Sequence, residues 1–284
     1  MLSIATDTVA RFWLGFILYS GLNRCSVLQG DWFKNRENTK TRTGRSIKMA
    51  CGARGDEKRA MVYRRTHQVV KRLAARRSAI LAAARDAAAE GGMNAVQIAP
   101  VAIRANVAAG TVYRYFPSKA DLISELIAEV SRDELAAIRR AADAAPGPSS
   151  ALAGAVTTVA VHVLSQRKLA WGILAEPVDV DVTASRLASR REIAGEIAAR
   201  IDAAVRAGHL PAQDTALAAT ALLGALHESL VGPLAPQNLD DPAKLRDAVQ
   251  TVTLLALRAV GVMDARARGL VVQAVLPAKT LVSA

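Results

Sequence analysis

Few side chains in this sequence have both the type and the spacing that chemistry needs. His162, Trp171, His227 and Glu228 stand isolated inside long apolar stretches. Two histidines and a carboxylate could serve a metal or a hydrolytic centre, but no H-x-x-x-H pair and no G-x-S-x-G turn occurs. Cys25 and Cys51 are too few for a disulfide framework and lack metal-ligand spacing. The residues therefore read as those of a protein with no catalytic constellation, no metal site and no cofactor. A reducing, cytoplasmic compartment is the default for such cysteine usage. Polar and aromatic residues crowd together in one other place. Tyr113, Arg114, Tyr115 and Phe116 are consecutive, with Gly110 and Thr111 before them and Lys119 after. Arginine can pair bidentately with guanine, although a phosphate contact or simple solvation suits Arg114 equally.

Helices must position these groups. Aromatics are 4% of the chain and hydrophobic residues 51%, so the core is built from Ala, Leu, Val and Ile. No period-2 strand pattern and no internal repeat occur. From Arg76 to Glu90 apolar residues recur at helical spacing (Ile80, Ala84, Ala87), and Gly91-Gly92 stops the run. Short helices follow over Gln97–Ala105 and Ala108–Tyr115. Asn106 sits between them as a residue that tolerates the left-handed conformation. Phe116-Pro117 ends the second, because the residue before proline avoids the α region. Ser118-Lys-Ala-Asp121 fits a capping box opening a long helix to about Ala145. Pro146–Ser150 is the clearest break. Helices are then expected over Ala151–Arg167, Leu169–Ala175, Thr183–Ala207, Gln213–Leu230 and from Asp241-Pro242 to Gly261.

Two short helices joined by a tight turn and flanked by longer ones are the parts of a helix-turn-helix. Ala102 would lie where the two helices cross, with Val101, Val107 and Val112 beneath. Residues Ile98–Leu122 (IAPVAIRANVAAGTVYRYFPSKADL) closely resemble the DNA-binding segment of TetR-family transcriptional regulators. Gly110, Thr111, Val112, Tyr113, Tyr115, Phe116, Ser118, Lys119 and Leu122 fall in register with that family's pattern. Asn106 stands where the family usually has a turn glycine, and Ala108 and Ala109 replace a serine and a polar residue. The resemblance implies that Tyr113, Thr111 and Lys119 contact the DNA backbone. It places Arg114 and Tyr115 on the major-groove face, with Gly110 allowing close approach and Phe116 in the core. It also implies nine helices to Gly261, dimerisation through the last two, and a ligand-binding C-terminal part. In that part His162, Trp171 and His227 are the candidate ligand contacts, with Glu176 behind them.

The charge is uneven. Residues 31–77 carry 15 Lys and Arg against 4 Asp and Glu, a net of +11, whereas residues 78–284 carry 20 of each. Residues 1–70 thus form a basic arm. Three readings of it stay open: a disordered segment, a sequence-nonspecific DNA contact, or residues upstream of the true start of translation. Val9–Leu22 is its most apolar stretch, but at about 14 residues it is short of the roughly 20 that span a bilayer. The expected architecture is all-α. It comprises the arm, a three-helix helix-turn-helix domain over 71–122, a helical ligand-binding and dimerisation bundle over 123–263, and a tail over 264–284. The expected function is a homodimeric repressor that binds a double-stranded DNA operator and is released by a hydrophobic small molecule, with no membrane partner. The alternative is a constitutive architectural DNA binder without an inducer.

Overall fold

The computed structural model describes residues 56–236 and 241–274, with side chains from residue 68 onward. Every regular element among them is helical. The helices are α1 (Asp56–Gly91), α2 (Ile98–Arg104), α3 (Ala109–Tyr115), α4 (Lys119–Asp143), α5 (Pro148–Ser165), α6 (Arg167–Leu174), α7 (Val180–Arg206), α8 (Thr215–Val231), α9 (Pro242–Ala259) and α10 (Asp264–Gln273). A single 3₁₀ turn, Met93–Ala95, links α1 to α2.

Both ends differ from expectation. α1 begins at Asp56, twenty residues before Arg76, so the last part of the expected arm is helix. The stretch from Asp56 to Arg77 contains no Gly or Pro and many strong helix formers. Its charge made it read as irregular, but charge does not oppose a solvated helix. Residues 68–76 are indeed exposed. The arm's first 55 residues lie outside the described residues. At the other end, residues 264–273 form α10 and not a tail. Ala267, Leu270 and Val271 bury one face against the main core, and Asp264 is held by Arg268 at 2.9 Å and by Arg258. Residues 275–284 of the expected tail lie outside the described part.

Two cores hold the helices together. The first packs α1 to α4 around Ile80, Leu81, Val101, Val112, Phe116 and Leu126, and takes in Leu169, Ile173 and Val182 from α6 and α7. The second joins α4, α5 and α7 to α10 around Ile138, Leu152, Val156, Ile197, Leu226 and Leu257. α4 runs through both, with Leu122–Val130 in one and Ile138 in the other. At 25 residues it is about 37 Å long. The expected boundary at 122/123 thus falls inside a continuous helix.

α5 starts at Pro148, not Ala151, because proline is tolerated in a first turn whose N–H groups have no helical acceptor. By length and composition it could cross a membrane, yet two-thirds of it is buried between its neighbours. Its small residues draw the helices together. A Cβ on Gly154 would stand 3.3 Å from the Ala141 carbonyl oxygen of α4. Small side chains here let α5 approach α4 closely.

The capping box at α4 is formed as expected. Ser118 Oγ accepts from the Asp121 amide at 3.0 Å, and Asp121 Oδ2 accepts from the Ser118 amide at 3.0 Å. Ser118→Ala should lower folding stability by about 1 kcal/mol, measurable as a reduced chemical-denaturation midpoint.

Candidate nucleic-acid interface and regulatory cavity

α2 and α3 meet as a helix-turn-helix because the turn between them is closed by the backbone. Asn106 adopts φ 53°, and the Val107 amide donates to the Ala102 carbonyl at 2.9 Å. Ala102 is buried at the crossing, with Val101 and Val112 fully buried and Val107 partly so. No side chain caps α3, since Ala108 occupies the cap position. Phe116 follows in extended conformation and turns its ring into the core, 3% exposed. The Arg77 guanidinium lies over that ring, 5.3 Å from its centroid. The wedge fixes α3 against α4 and so sets which α3 side chains face outward.

The outward set is Gly110, Tyr113 and Arg114, with Thr111, Tyr115 and Lys119 half-buried around them. Tyr113 is 51% exposed. A Cβ at Gly110 would meet nothing within 4 Å, so the space above the start of α3 is open. Among the described residues, the side chains of Tyr113, Arg114 and Lys119 have no hydrogen-bond or ion-pair partner. Nearby Arg104 differs: it grips Glu90 with two bonds, at 2.8 and 2.6 Å, and ties α2 to the end of α1. Tyr115 departs from the expected outward face, because its ring packs on the lobe's core.

The second arrangement lies among α4 to α8. A cavity of about 40 Å³ is walled by Val130, Val163, Leu169, Ile173 and Ile193, with His162 and His227 among its lining. Both histidines were expected near a ligand, and the structure brings them to one cavity. Burial pushes each imidazole down to about 4, helped by the positive charge of Arg85 near His162 and of Arg190 near His227. Both are therefore neutral at pH 7. Trp171 lines a neighbouring opening of about 270 Å³. The two spaces share Leu174, Arg190 and His227, so His227 stands between them.

Six further polar residues of this cavity were missed: Ser131, Glu134, Gln166, Arg186, Ser189 and Arg190. Glu134 is 8% exposed with no partner, and burial alone pushes its carboxyl up to about 7. Its signal was present in the sequence. Val130, Glu134 and Ile138 are spaced by four, so Glu134 interrupts the apolar face of α4. Arg186 and Gln166 left no such trace. Arg186 donates to the carbonyls of Gly172 at 2.9 Å and Glu176 at 3.0 Å, which closes the end of α6 onto α7.

Glu176 itself does not line the cavity. Its carboxylate accepts from the Met93 amide at 2.7 Å and so ties the end of α6 to the 3₁₀ turn that precedes α2. Gly92, at φ 72°, leaves space for that carboxylate where any side chain would collide with it. Among the described residues no cluster of His, Cys, Asp and Glu could hold a metal ion.

Comparison with known proteins agrees with this geometry. Residues 80–126 match the family model of bacterial regulatory proteins of the tetR family. The HTH-type transcriptional repressor KstR of Mycobacterium tuberculosis is 55% identical over 58 residues, 20% of this chain and 26% of that protein. The KstR of Rhodococcus jostii is 53% identical over 53 residues, 19% of this chain and 25% of that protein. The similarity thus spans about a quarter of these curated relatives. Among solved structures, RolR in complex with resorcinol has a TM-score of 0.53 at 22% identity, covering 71% of this chain and 95% of that one. The regulator FadR from Bacillus subtilis in complex with stearoyl-CoA has a TM-score of 0.54 at 19% identity, covering 66% and 98%. At those identities the likeness shows the fold alone. Residues 80–126 are thus similar to the DNA-binding segment of the tetR family of bacterial regulatory proteins, and the helices around them share the fold of these solved structures.

Proposed function

We propose that this protein is a DNA-binding transcriptional repressor that acts as a homodimer and is released from its operator by a small, largely apolar molecule. The observation that carries the DNA side is the group of unpartnered side chains Tyr113 and Arg114 on the exposed face of α3 and Lys119 at the start of α4. Such side chains, with the exposed backbone N–H groups of a helix start, suit phosphate oxygens. Arg114 is the side chain best placed to read a base edge.

Dimerisation is supported by Leu217 on α8 and Leu255 on α9, which are 67% and 57% exposed on otherwise well-packed helices. Two recognition helices must be held about 34–36 Å apart to read half-sites one helical turn apart. Pairing through α8 and α9 of two subunits supplies a fixed frame for that spacing. The cavity favours ligand release over constitutive binding, because a purely architectural protein has no use for polar groups buried without partners. Two solved structures of this fold, of RolR and FadR, hold resorcinol and stearoyl-CoA. A ligand that fits one conformation better than the other shifts DNA affinity by that difference and no more.

The test is fluorescence anisotropy on the DNA fragment that the wild-type protein protects in a footprint. Tyr113→Ala and Lys119→Ala should each weaken binding by roughly 1–3 kcal/mol, with the oligomeric state unchanged. Lys119→Ala should also lower the salt slope by about one unit. Wild-type affinity in both variants would sink the docking model.

A further inference from the structure

The buried side-chain atoms left without a hydrogen-bond partner among the described residues are Glu134 Oε1, Gln166 Oε1, Arg186 Nε and His227 Nδ1. All four residues line the same cavity. They come from α4, α7 and α8 and from the residue between α5 and α6, so their convergence is a product of the tertiary fold. Native interiors rarely leave such groups unpaired, and four at one place point to an occupant.

Their chemistry narrows what that occupant is. Arg186 Nε can only donate. Its Nη2 is already committed to the carbonyls of Gly172 and Glu176, and it forms no ion pair among the described residues. The Glu176 carboxylate acts on it only from beyond ion-pair distance and is itself bound to the Met93 amide. Arg190 adds a second guanidinium to the lining. The other three groups adapt. Gln166 presents either its oxygen or its amide nitrogen by a flip. His227 carries its proton on either ring nitrogen, and a protonated Glu134 donates through its hydroxyl. An acceptor is the one kind of ligand group that all four can satisfy at once. An amine would face two guanidinium charges and leave Arg186 Nε unmet. The walls around this polar cluster are largely aliphatic, and a wider space continues past His227 toward Trp171. In this conformation the inner cavity has room for roughly three waters, which limits the group seated there to a few heavy atoms.

We propose that the cavity takes a small carboxylic acid, its carboxylate seated on Arg186 Nε among Glu134, Gln166 and His227, and its hydrocarbon body directed past His227 toward Trp171. Glu134, whose carboxyl is held near 7 by burial, supplies the neutral donor that an anion beside it requires. The inference rests on the proposed ligand-response reading for its effect on DNA, but not for binding itself.

The two are separated by calorimetry on the full chain with octanoate and phenylacetate, each against its primary amide, alongside anisotropy on the protected DNA. At least one acid should bind about tenfold more tightly than its amide, the difference expected from one lost charge-assisted hydrogen bond. Arg186→Lys, which keeps the charge but not the Nε donor, should remove that preference. Because Arg186 also ties α6 to α7, Gln166→Leu serves as the second variant and should weaken the acid severalfold with the amide unaffected. Equal or tighter binding of the amides overturns the carboxylate assignment. Binding of none of the four overturns it too and leaves hydration as the role of the polar cluster. An acid that binds without altering DNA affinity keeps the site and overturns the ligand-response reading. An amide that displaces DNA while neither acid binds does the reverse.

Discussion

Phe116→Ala should reduce folding stability by about 3–5 kcal/mol and abolish operator binding at ambient temperature. The ring is buried in the core that holds Ile80, Val112, Leu122 and Leu126, and among the described residues it is the only fully buried aromatic there. Two losses add to the transfer term. The space left behind lies between helices that are tied to the rest of the protein and cannot collapse freely. Arg77 also loses the ring face it covers, a contact worth about 0.5–1 kcal/mol at a partly exposed site. The lobe is small, and a domain's whole stability is of order 5–15 kcal/mol. The loss should appear as a lower guanidinium midpoint. It should come with disordering of α3 and α4 relative to one another, seen as faster amide exchange at Val112 and Leu122. An unchanged midpoint would mean that Phe116 does not wedge the recognition helix in place.

Glu134→Gln should stabilise the protein at pH 8 by on the order of 3 kcal/mol and have almost no effect at pH 4.5. The carboxyl is held near 7 in the folded chain against an ordinary 4.5. Its neutral form is therefore favoured by folding. The stability it contributes is fully present below about pH 4.5 and is lost as pH rises through about 7, where the folded chain must bury the charge. Glutamine removes that loss. The two cavity histidines titrate the opposite way. Their pKa values are lowered from 6.5 to about 4, so their contribution is present above pH 6.5 and lost as pH falls toward 4. Subtracting wild type from variant cancels the histidines and leaves the carboxyl alone. Thermal melts at pH 4.5, 5.5, 7 and 8 should therefore show a gap that opens from near zero and levels off above pH 7. A gap of constant size would mean that Glu134 is not titrating in a buried setting.

The glutamate shows how a site can be half legible. Its place on the apolar face of α4 follows from spacing, since residues 130, 134 and 138 must share that face. What surrounds it does not follow, because Gln166, Arg186 and His227 lie 32, 52 and 93 positions further along the chain. Nothing local records that the junction of α5 and α6, with α7 and α8, brings them to one point. His162 and His227 were recognisable for a simpler reason: polar rings are rare in apolar helices, and such rarity is visible in one dimension. Trp171 was recognisable by the same rarity, but lines the neighbouring opening and not the inner cavity. Glu176 was misplaced by that logic. It is a carboxylate near a helix end, and only the folded chain shows its acceptor role toward Met93.

By itself the sequence determined the helical class, the helix-turn-helix and its turn at Asn106, the capping box at Ser118, and the placement of Phe116 in the core. Each of these is encoded within a few residues, in the 3.6-residue period, in a cap or in a left-handed turn position. The same local code missed the upstream half of α1 and all of α10. The first is exposed over residues 68–76 and so has no buried face there to mark it, and the second is a short helix whose burial depends on α5 and α9. Tertiary structure alone decided that Tyr115 is half-buried against the core while Tyr113 and Arg114 stay exposed, because that choice depends on how α3 rotates against α4. It alone decided that small residues in α5 close the helices together, since whether a short side chain leaves a void or permits contact is settled by the partner helix. It also decided that four distant polar groups share one cavity, because the energy of an unpaired buried atom is a property of its three-dimensional surroundings and leaves no mark on its neighbours in the chain.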